Sequence, residues 1–332
     1  MRRSFFSVFC ALYLILGVQS FADDDVEELL KAIVKVRAKI PADAYTADSL
    51  GTEREGSGVI IDKIGHVLTI GYLIIEAEHI ELIGPKGKTV TATFVGHDFN
   101  TGFGILLPDE PLSVIPMKLG QSSEVKEGDH LFVASFGGLD SVQTVRVISR
   151  MEFAGYWEYL LENAIFSSPP HPNFGGAALI GHDGCLLGIG SLYTRFSIPG
   201  VGLIPCNVFV PIDLLRPILA DLIHTGLSRE PPRPWLGLYA EESHGRVFVI
   251  RVTAGGPAEK AGLRPGDIVL TVNGVEISGL ADFCRKVWAL GNAGEDVHLG
   301  VLQGTHIRNI IVNSANRYRF LKPTAKGKMV LR

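Results

Sequence analysis

Three stretches hold residue types able to do nucleophilic or acid–base chemistry: His97-Asp98, the pair Ser167-Ser168 followed by His171, and His182-Asp183 with Cys185 beside it. A serine or cysteine nucleophile needs a base within hydrogen-bond reach and a third group to orient that base. Neighbours along a strand point to opposite faces, so no one of these stretches supplies a converging set by itself. His182-Asp183-Gly184 reads as a β-turn in which glycine takes the unusual backbone angles. Cys185 reads as a buried strand thiol rather than a nucleophile. A metal site built from His97, Asp98 and His171 would need tight ligand spacing, which the sequence does not show, and no cofactor is expected.

The elements that must position these residues are short strands. Val34, Val36, Ala38 and Ile40 alternate with Lys35, Arg37 and Lys39, a period of two that predicts a strand with one wet face. A short helix over Asp24 to Lys31 precedes it. After the polar turn-rich stretch Pro41 to Glu55, apolar runs follow at Gly56 to Asp62, His66 to Ile70, His79 to Ile83, Thr89 to Val95, Phe103 to Leu107, His130 to Ser135 and Val142 to Val147. Turns separate them and no long helix interrupts. With 38 glycines and 18 prolines in 332 residues, the pattern is mainly β, an antiparallel barrel or sandwich.

Composition excludes some partners. The chain is 46% apolar, enough for two domains with full cores, and its formal charge is −4, from 31 basic and 35 acidic residues. No Lys/Arg stripe of the kind nucleic-acid binding needs is present. At the N-terminus Arg2 and Arg3, the apolar run Phe5 to Val18, and Ser20-Phe21-Ala22 before Asp23 read as an export signal cleaved after Ala22. The apolar run is shorter than the ~20 residues of a spanning helix. Cleavage removes Cys10 and leaves Cys185, Cys206 and Cys284, an odd number, so buried free thiols are expected rather than a disulfide framework.

Gly56-Ser57-Gly58-Val59-Ile60-Ile61-Asp62 resembles the GSGVIID opening of HtrA/DegP-type proteases, which are trypsin-like. Gly128-Asp129 leading into Leu131 to Gly137, Gly184 to Ile189, and Phe209-Val210-Pro211 followed by a helix over Asp213 to Thr225 resemble later segments of the same family, in the same order. The resemblance implies a double β-barrel whose cleft gathers His, Asp and Ser from separate loops.

In that family the nucleophile loop reads GNSGGAL; here His171-Pro172-Asn173-Phe174-Gly175-Gly176-Ala177-Ala178-Leu179 puts Gly175 in the serine position. The histidine position falls on Tyr72, within Thr69 to Ile74, and a phenol with a pKa near ~10 is the wrong base for neutral pH. The aspartate position falls on Gly102, while an earlier aspartate of that motif survives as Asp98. Losing a whole triad costs about a million-fold in kcat in a well-studied case, roughly 8 kcal/mol of barrier. Asn173 replaces a glycine that donates to the oxyanion hole in active relatives, and asparagine tolerates positive φ, so the turn is expected to keep its shape. Phe174 beside it is a candidate either to fill the cleft or simply to pack the loop.

After the proline-rich joint Ser228 to Pro234, a second resemblance begins. Trp235-Leu236-Gly237-Leu238, Val247-Phe248-Val249, Ala261 to Val269 and Val272-Asn273-Gly274 resemble a PDZ domain of the bacterial protease type. Such a module adds a peptide as an extra strand at a sheet edge, and backbone N–H groups capture the peptide's carboxylate. The resemblance places Trp235, Leu236, Gly237 and Leu238 at the carboxylate loop, Leu238 to Ala240 on the pairing strand, and Val287 on the groove side of a helix starting near Leu280. The basic end, from Arg317 to Arg332, reads as a solvated tail.

The resulting division is a signal peptide over residues 1–22, an N-terminal segment with the first strand over 23–48, a trypsin-like domain over 49–227, a linker over 228–234, a PDZ domain over 235–317 and a basic tail over 318–332. The expected function is that of an exported, periplasmic HtrA-like pseudoprotease that binds protein C-termini or unfolded polypeptides. Two rivals are an active serine endopeptidase using displaced residues, and a subunit regulating an active HtrA-type protease. A homotrimer is implied by the resemblance.

Overall fold

The computed structural model describes residues 23–324. The export signal, with Cys10, and the last residues of the basic tail lie outside them. A helix, α1 (Asp23–Leu30), precedes β1 (Ile33–Lys39), and a short helix, α2 (Ala47–Leu50), separates β1 from β2 (Glu53–Ile60). β3 (Val67–Ile70), β4 (His79–Ile83), β5 (Thr89–His97) and β6 (Phe103–Pro108) complete a closed barrel in the order β1-β2-β3-β6-β5-β4. The strand set apart with residues 23–48 is therefore a stave of this barrel, pairing with β2 on one side and β4 on the other. Its alternation did the work expected of it: Val34, Val36 and Ala38 are buried, while Arg37 and Lys39 face solvent.

A second closed barrel follows: β7 (His130–Ala134), β8 (Val142–Gly155), β9 (Tyr159–Ser168), β10 (Ala178–Ile180), β11 (Leu186–Ile198) and β12 (Gly202–Pro211), in the order β10-β11-β12-β9-β8-β7. The helix expected over Asp213 to Thr225 is shorter. A 3-10 turn over Ile212–Leu214 leads to α3 (Leu219–Thr225), with Pro217 between them. Proline has no N–H to donate and crowds the preceding turn, so the helix starts only after it.

The C-terminal domain is a sheet of β13 (Leu238–Ser243), β14 (Arg246–Val252), β15 (Ile268–Val272), β16 (Val275–Glu276), β17 (Asp296–Gln303) and β18 (His306–Asn313). Two helices pack with it, α4 (Pro257–Lys260) and α5 (Leu280–Trp288). β13 is an edge strand, bonded within the sheet to β14 alone. Phe283, Cys284 and Val287 of α5 join Leu238, Ala240, Val249 and Val301 in one core. Asn273 (φ 49) and Gly274 (φ 78) form the turn between β15 and β16, as their types predict.

The tail read as solvated is in part a clasp. Residues Arg317–Phe320 form a 3-10 turn against the first barrel, where Tyr318 Oη donates to the His97 carbonyl at 3.2 Å and its ring meets Phe99 at 4.7 Å. Phe320 packs on Trp235 at 4.6 Å, and Tyr45 meets Trp235 edge-on at 6.2 Å. Aromatic residues spaced through a basic run find a hydrophobic seam, and that burial outweighs the cost of ordering the run. Along the same seam a cavity of about 960 Å³ is lined by the linker, Trp235 and Trp288. Arg233 of the linker stacks over Trp288 at 4.7 Å. Cys206 and Cys284 are buried free thiols; Cys185, also free, is half-exposed because it sits at the β-turn entering β11 and not within the strand.

Candidate active-site cleft and carboxylate-binding loop

The loops that carry Tyr72, Gly102 and Gly175 converge. Tyr72 lies on a 3-10 turn over Gly71–Leu73 and donates its hydroxyl to the Ser191 carbonyl at 3.0 Å. A Cβ built on Gly175 would stand 2.8 Å from that hydroxyl and 3.8 Å or more from anything else in reach. Burial pushes the phenol well above its ordinary pKa, so it is a protonated hydrogen-bond donor and no base. Gly102 accepts from Gly71 N at 2.7 Å, one residue from Tyr72. It has φ +82, and a Cβ there would sit 3.2 Å from the Tyr159 hydroxyl. That hydroxyl donates to the Thr101 carbonyl at 2.6 Å, so a tyrosine from β9 fills the space beside Gly102.

The turn after His171 is held from within. Asn173 N donates to His171 Nδ1 at 3.1 Å, while His171 Nε2 faces the Ser141 carbonyl at 3.2 Å and its backbone N donates to Asn207 Oδ1 at 2.6 Å. Nδ1 must therefore be the acceptor and Nε2 the protonated nitrogen, and desolvation lowers the imidazole's pKa. The positive φ expected at Asn173 is found at Gly176 instead (φ +74), where a Cβ would collide with the Ser57 carbonyl at 1.9 Å. Asn173 keeps ordinary backbone angles because the glycine absorbs the reversal. Phe174 is half-buried, and its carbonyl accepts from Ala177 N at 3.0 Å.

The other candidates are dispersed. Ser167 is fully buried on β9, and Ser168 Oγ donates to the Pro205 carbonyl at 3.0 Å. His182 packs its ring edge-on against Phe132 at 5.4 Å. Asp183 accepts from Cys185 N at 3.1 Å across the turn, and partial burial raises the Cys185 thiol. His97 is buried among Phe99 and Tyr318, where desolvation and then Arg317 hold its pKa down at about 3. Asp98 accepts the Thr101 N–H and hydroxyl at 2.7 and 2.8 Å. Among the described residues no group of three or more His, Cys, Asp or Glu is placed to hold a metal ion.

At the C-terminal domain the amides expected to capture a carboxylate have one. Leu236 N, Gly237 N and Leu238 N donate to the carboxylate of Glu158 at 2.9, 2.7 and 2.8 Å. Glu158 comes from the turn between β8 and β9. Gly237 (φ +75) gives the loop its reversal. Trp235 is turned away from this carboxylate, with its backbone paired to Ala315 and its ring in the seam. Val287 is 1% exposed, in one apolar cluster with Leu160 of β9.

A family model for a trypsin-like peptidase domain matches residues 56–189, and one for a PDZ domain matches residues 234–313. The chain joins a trypsin-like peptidase domain to a PDZ domain. Its relatives are of the HtrA/DegP type. The periplasmic pH-dependent serine endoprotease DegQ of Escherichia coli is 28% identical over 84% of this chain and 66% of its own length. A probable periplasmic DegP-like serine endoprotease of Hahella chejuensis is 28% identical over 67% of this chain and 49% of its own length. The chain thus spans between about half and about two thirds of these relatives. The HtrA-type protease AlgW with a decapeptide superimposes with a TM-score of 0.52 at 22% identity, covering 91% of this chain and 99% of that one, a likeness of fold.

In the trypsin-like domain, then, the resemblance pointed to loops that do meet in space. In the PDZ domain it pointed to a loop whose Leu236, Gly237 and Leu238 amides hold the Glu158 carboxylate, a partner the sequence reading did not include. Tyr156-Trp157-Glu158 carries no motif, and nothing local in it announces that Glu158 reaches another domain. The cue in the sequence was the Leu236–Leu238 loop itself, whose amides the resemblance assigns to carboxylate capture.

Proposed function

We propose that this HtrA-type chain is a pseudoprotease, a protein that holds peptides through its PDZ domain without cutting them. The observation that carries the reading is Gly175: the position aligned with the nucleophile has no side chain, and its neighbour in space is the Tyr72 phenol, a donor to a carbonyl. The Asn173 amide, aligned with an oxyanion-hole donor, is already spent on His171. Without nucleophile and base, acyl transfer lacks the steps that raise kcat. The ligands are protein C-termini or unfolded polypeptides, bound in the periplasm, where relatives named periplasmic act. A homotrimer, and pairing with an active HtrA-type protease as its regulator, extend the same reading.

The second reading is an active serine endopeptidase with displaced residues, and the relatives favour it, since those reported above are named as proteases. One experiment separates the two. The purified chain and a variant carrying Ser167→Ala, Ser168→Ala and His171→Ala are incubated with unfolded casein and with a serine-reactive phosphonate. Neither cleavage nor labelling is expected from either protein. Turnover that vanishes in the variant would establish the endopeptidase.

A further inference from the structure

Building on that peptide-binding reading, we propose that the turn Tyr156–Glu158 is a tethered ligand of the PDZ groove, so that a peptide with a free C-terminal carboxylate enters only by displacing it. Each requirement of peptide capture is met by this turn. The Glu158 carboxylate takes the three amides Leu236 N, Gly237 N and Leu238 N at 2.7 to 2.9 Å. Ala240 N, on the open edge of β13, donates to the Tyr156 carbonyl at 2.8 Å, as it would to an added strand. Leu160, two residues beyond Glu158, is buried in one cluster with Leu236, Leu238 and Val287, the place an incoming apolar side chain would take. Arg285 of α5 clamps the arrangement from outside, pairing with Glu152 of β8 and Glu162 of β9 at 2.5 Å each.

The turn is not at rest by its own preference. Glu158 has φ +57, a left-handed backbone that a long L side chain rarely adopts, so contacts outside the turn must hold it there. Arg317 supports it from behind by donating to the Trp157 carbonyl at 3.2 Å. An internal ligand does not abolish binding. It multiplies the apparent affinity by the fraction of molecules whose groove is open.

The test uses the full chain and its E158A and E158Q variants, screened against random decapeptides with free C-termini and against the same peptides as C-terminal amides. Selected free-acid peptides are expected to bind E158A on the order of 10- to 100-fold more tightly than the parent. E158Q should lie between the two, and the amides should bind none of them. In the parent without peptide, hydrogen exchange at Leu236, Gly237, Leu238 and Ala240 should be slow, a measurement independent of whether a variant folds. Equal affinity of parent and E158A, or fast exchange at these amides in the parent, overturns the tethered ligand and leaves peptide binding standing. Failure of every peptide on all three proteins overturns the peptide-binding reading and this inference with it.

Discussion

The Tyr72 hydroxyl stands 2.8 Å from the point where a Cβ on Gly175 would lie, so the phenol occupies the space that a side chain at Gly175 would enter. Gly175 is outside the left-handed region, so a side chain there meets this one obstacle and no backbone strain. Gly175→Ser should therefore destabilise the fold by about 1–3 kcal/mol through overpacking and restore no casein cleavage. Adding Tyr72→Phe removes the hydroxyl, so the double variant should be more stable than the sum of the single changes. Urea titration of the four proteins closes the cycle, and strict additivity would show that the contact is relieved elsewhere.

A second prediction concerns Arg54, which is 4% exposed and donates to the carbonyls of Tyr72 and Ile75 and to Thr46 Oγ1. Burial lowers its pKa to about 10, opposed by the charge of Glu76. Glu76, also buried, accepts from Tyr45 N, Thr46 N and Lys322 N at 3.0, 2.7 and 2.9 Å. Arg54→Ala takes the donor from the buried Tyr72, Ile75 and Thr46 acceptors and removes the positive charge coupled to Glu76, and should cost about 3–5 kcal/mol. Arg54→Ala with Glu76→Gln should recover part of the loss, read by thermal unfolding.

His97 sets an acid limit. Its folded pKa of about 3 lies below the ordinary 6.5, so folding holds it neutral. A group whose pKa is depressed on folding contributes stability above its unfolded pKa and loses it as pH falls. Chemical-denaturation midpoints of the parent should drop progressively from pH 6.5 toward 3. His97→Leu, which cannot titrate, should show a shallower decline over that window.

Glu158 predicts the opposite slope for groove opening. Burial pushes its carboxyl up to about 7, against the amides of the Leu236–Leu238 loop and the charge of Arg317; the neighbouring Cys284 thiol is itself raised by burial and stays neutral. A raised pKa means that docking takes up a proton, so docking is fully favoured below the free value of 4.5 and weakens as pH rises through about 7. Peptide affinity of the parent should therefore increase from pH 5.5 to 8, while E158Q should vary little over the same range.

What could be read in the sequence came partly from local physics and partly from resemblance. The period-two run Val34 to Ile40 and the short apolar runs after it marked most barrel strands, while the double barrel and the PDZ domain were expected from the HtrA-type resemblance. β9 went unmarked because its buried face runs continuously through Tyr159, Leu160 and Leu161 before resuming at Ala164, so the alternation that betrays a half-wet strand is missing. Tyr318 and Phe320 were hidden inside a run of arginines and lysines, whose charge spoke for solvent while the rings sought the seam. The Asn173 and Glu158 contacts belong to neither period nor composition. Each depends on which atoms two distant loops present to one another, and such pairings exist only once the barrels have closed.

The chain's three tryptophans carry a practical consequence. Trp157, within the turn that carries Glu158, stacks on Tyr159, Trp235 is wedged against Phe320, and Trp288 lies under Arg233 by the linker. All of them border the junction between the peptidase-like barrels and the PDZ domain, so the protein's intrinsic emission is a spectroscopic gauge of that junction. A shift in tryptophan colour without a change in far-ultraviolet circular dichroism would record the two domains parting while both remain folded.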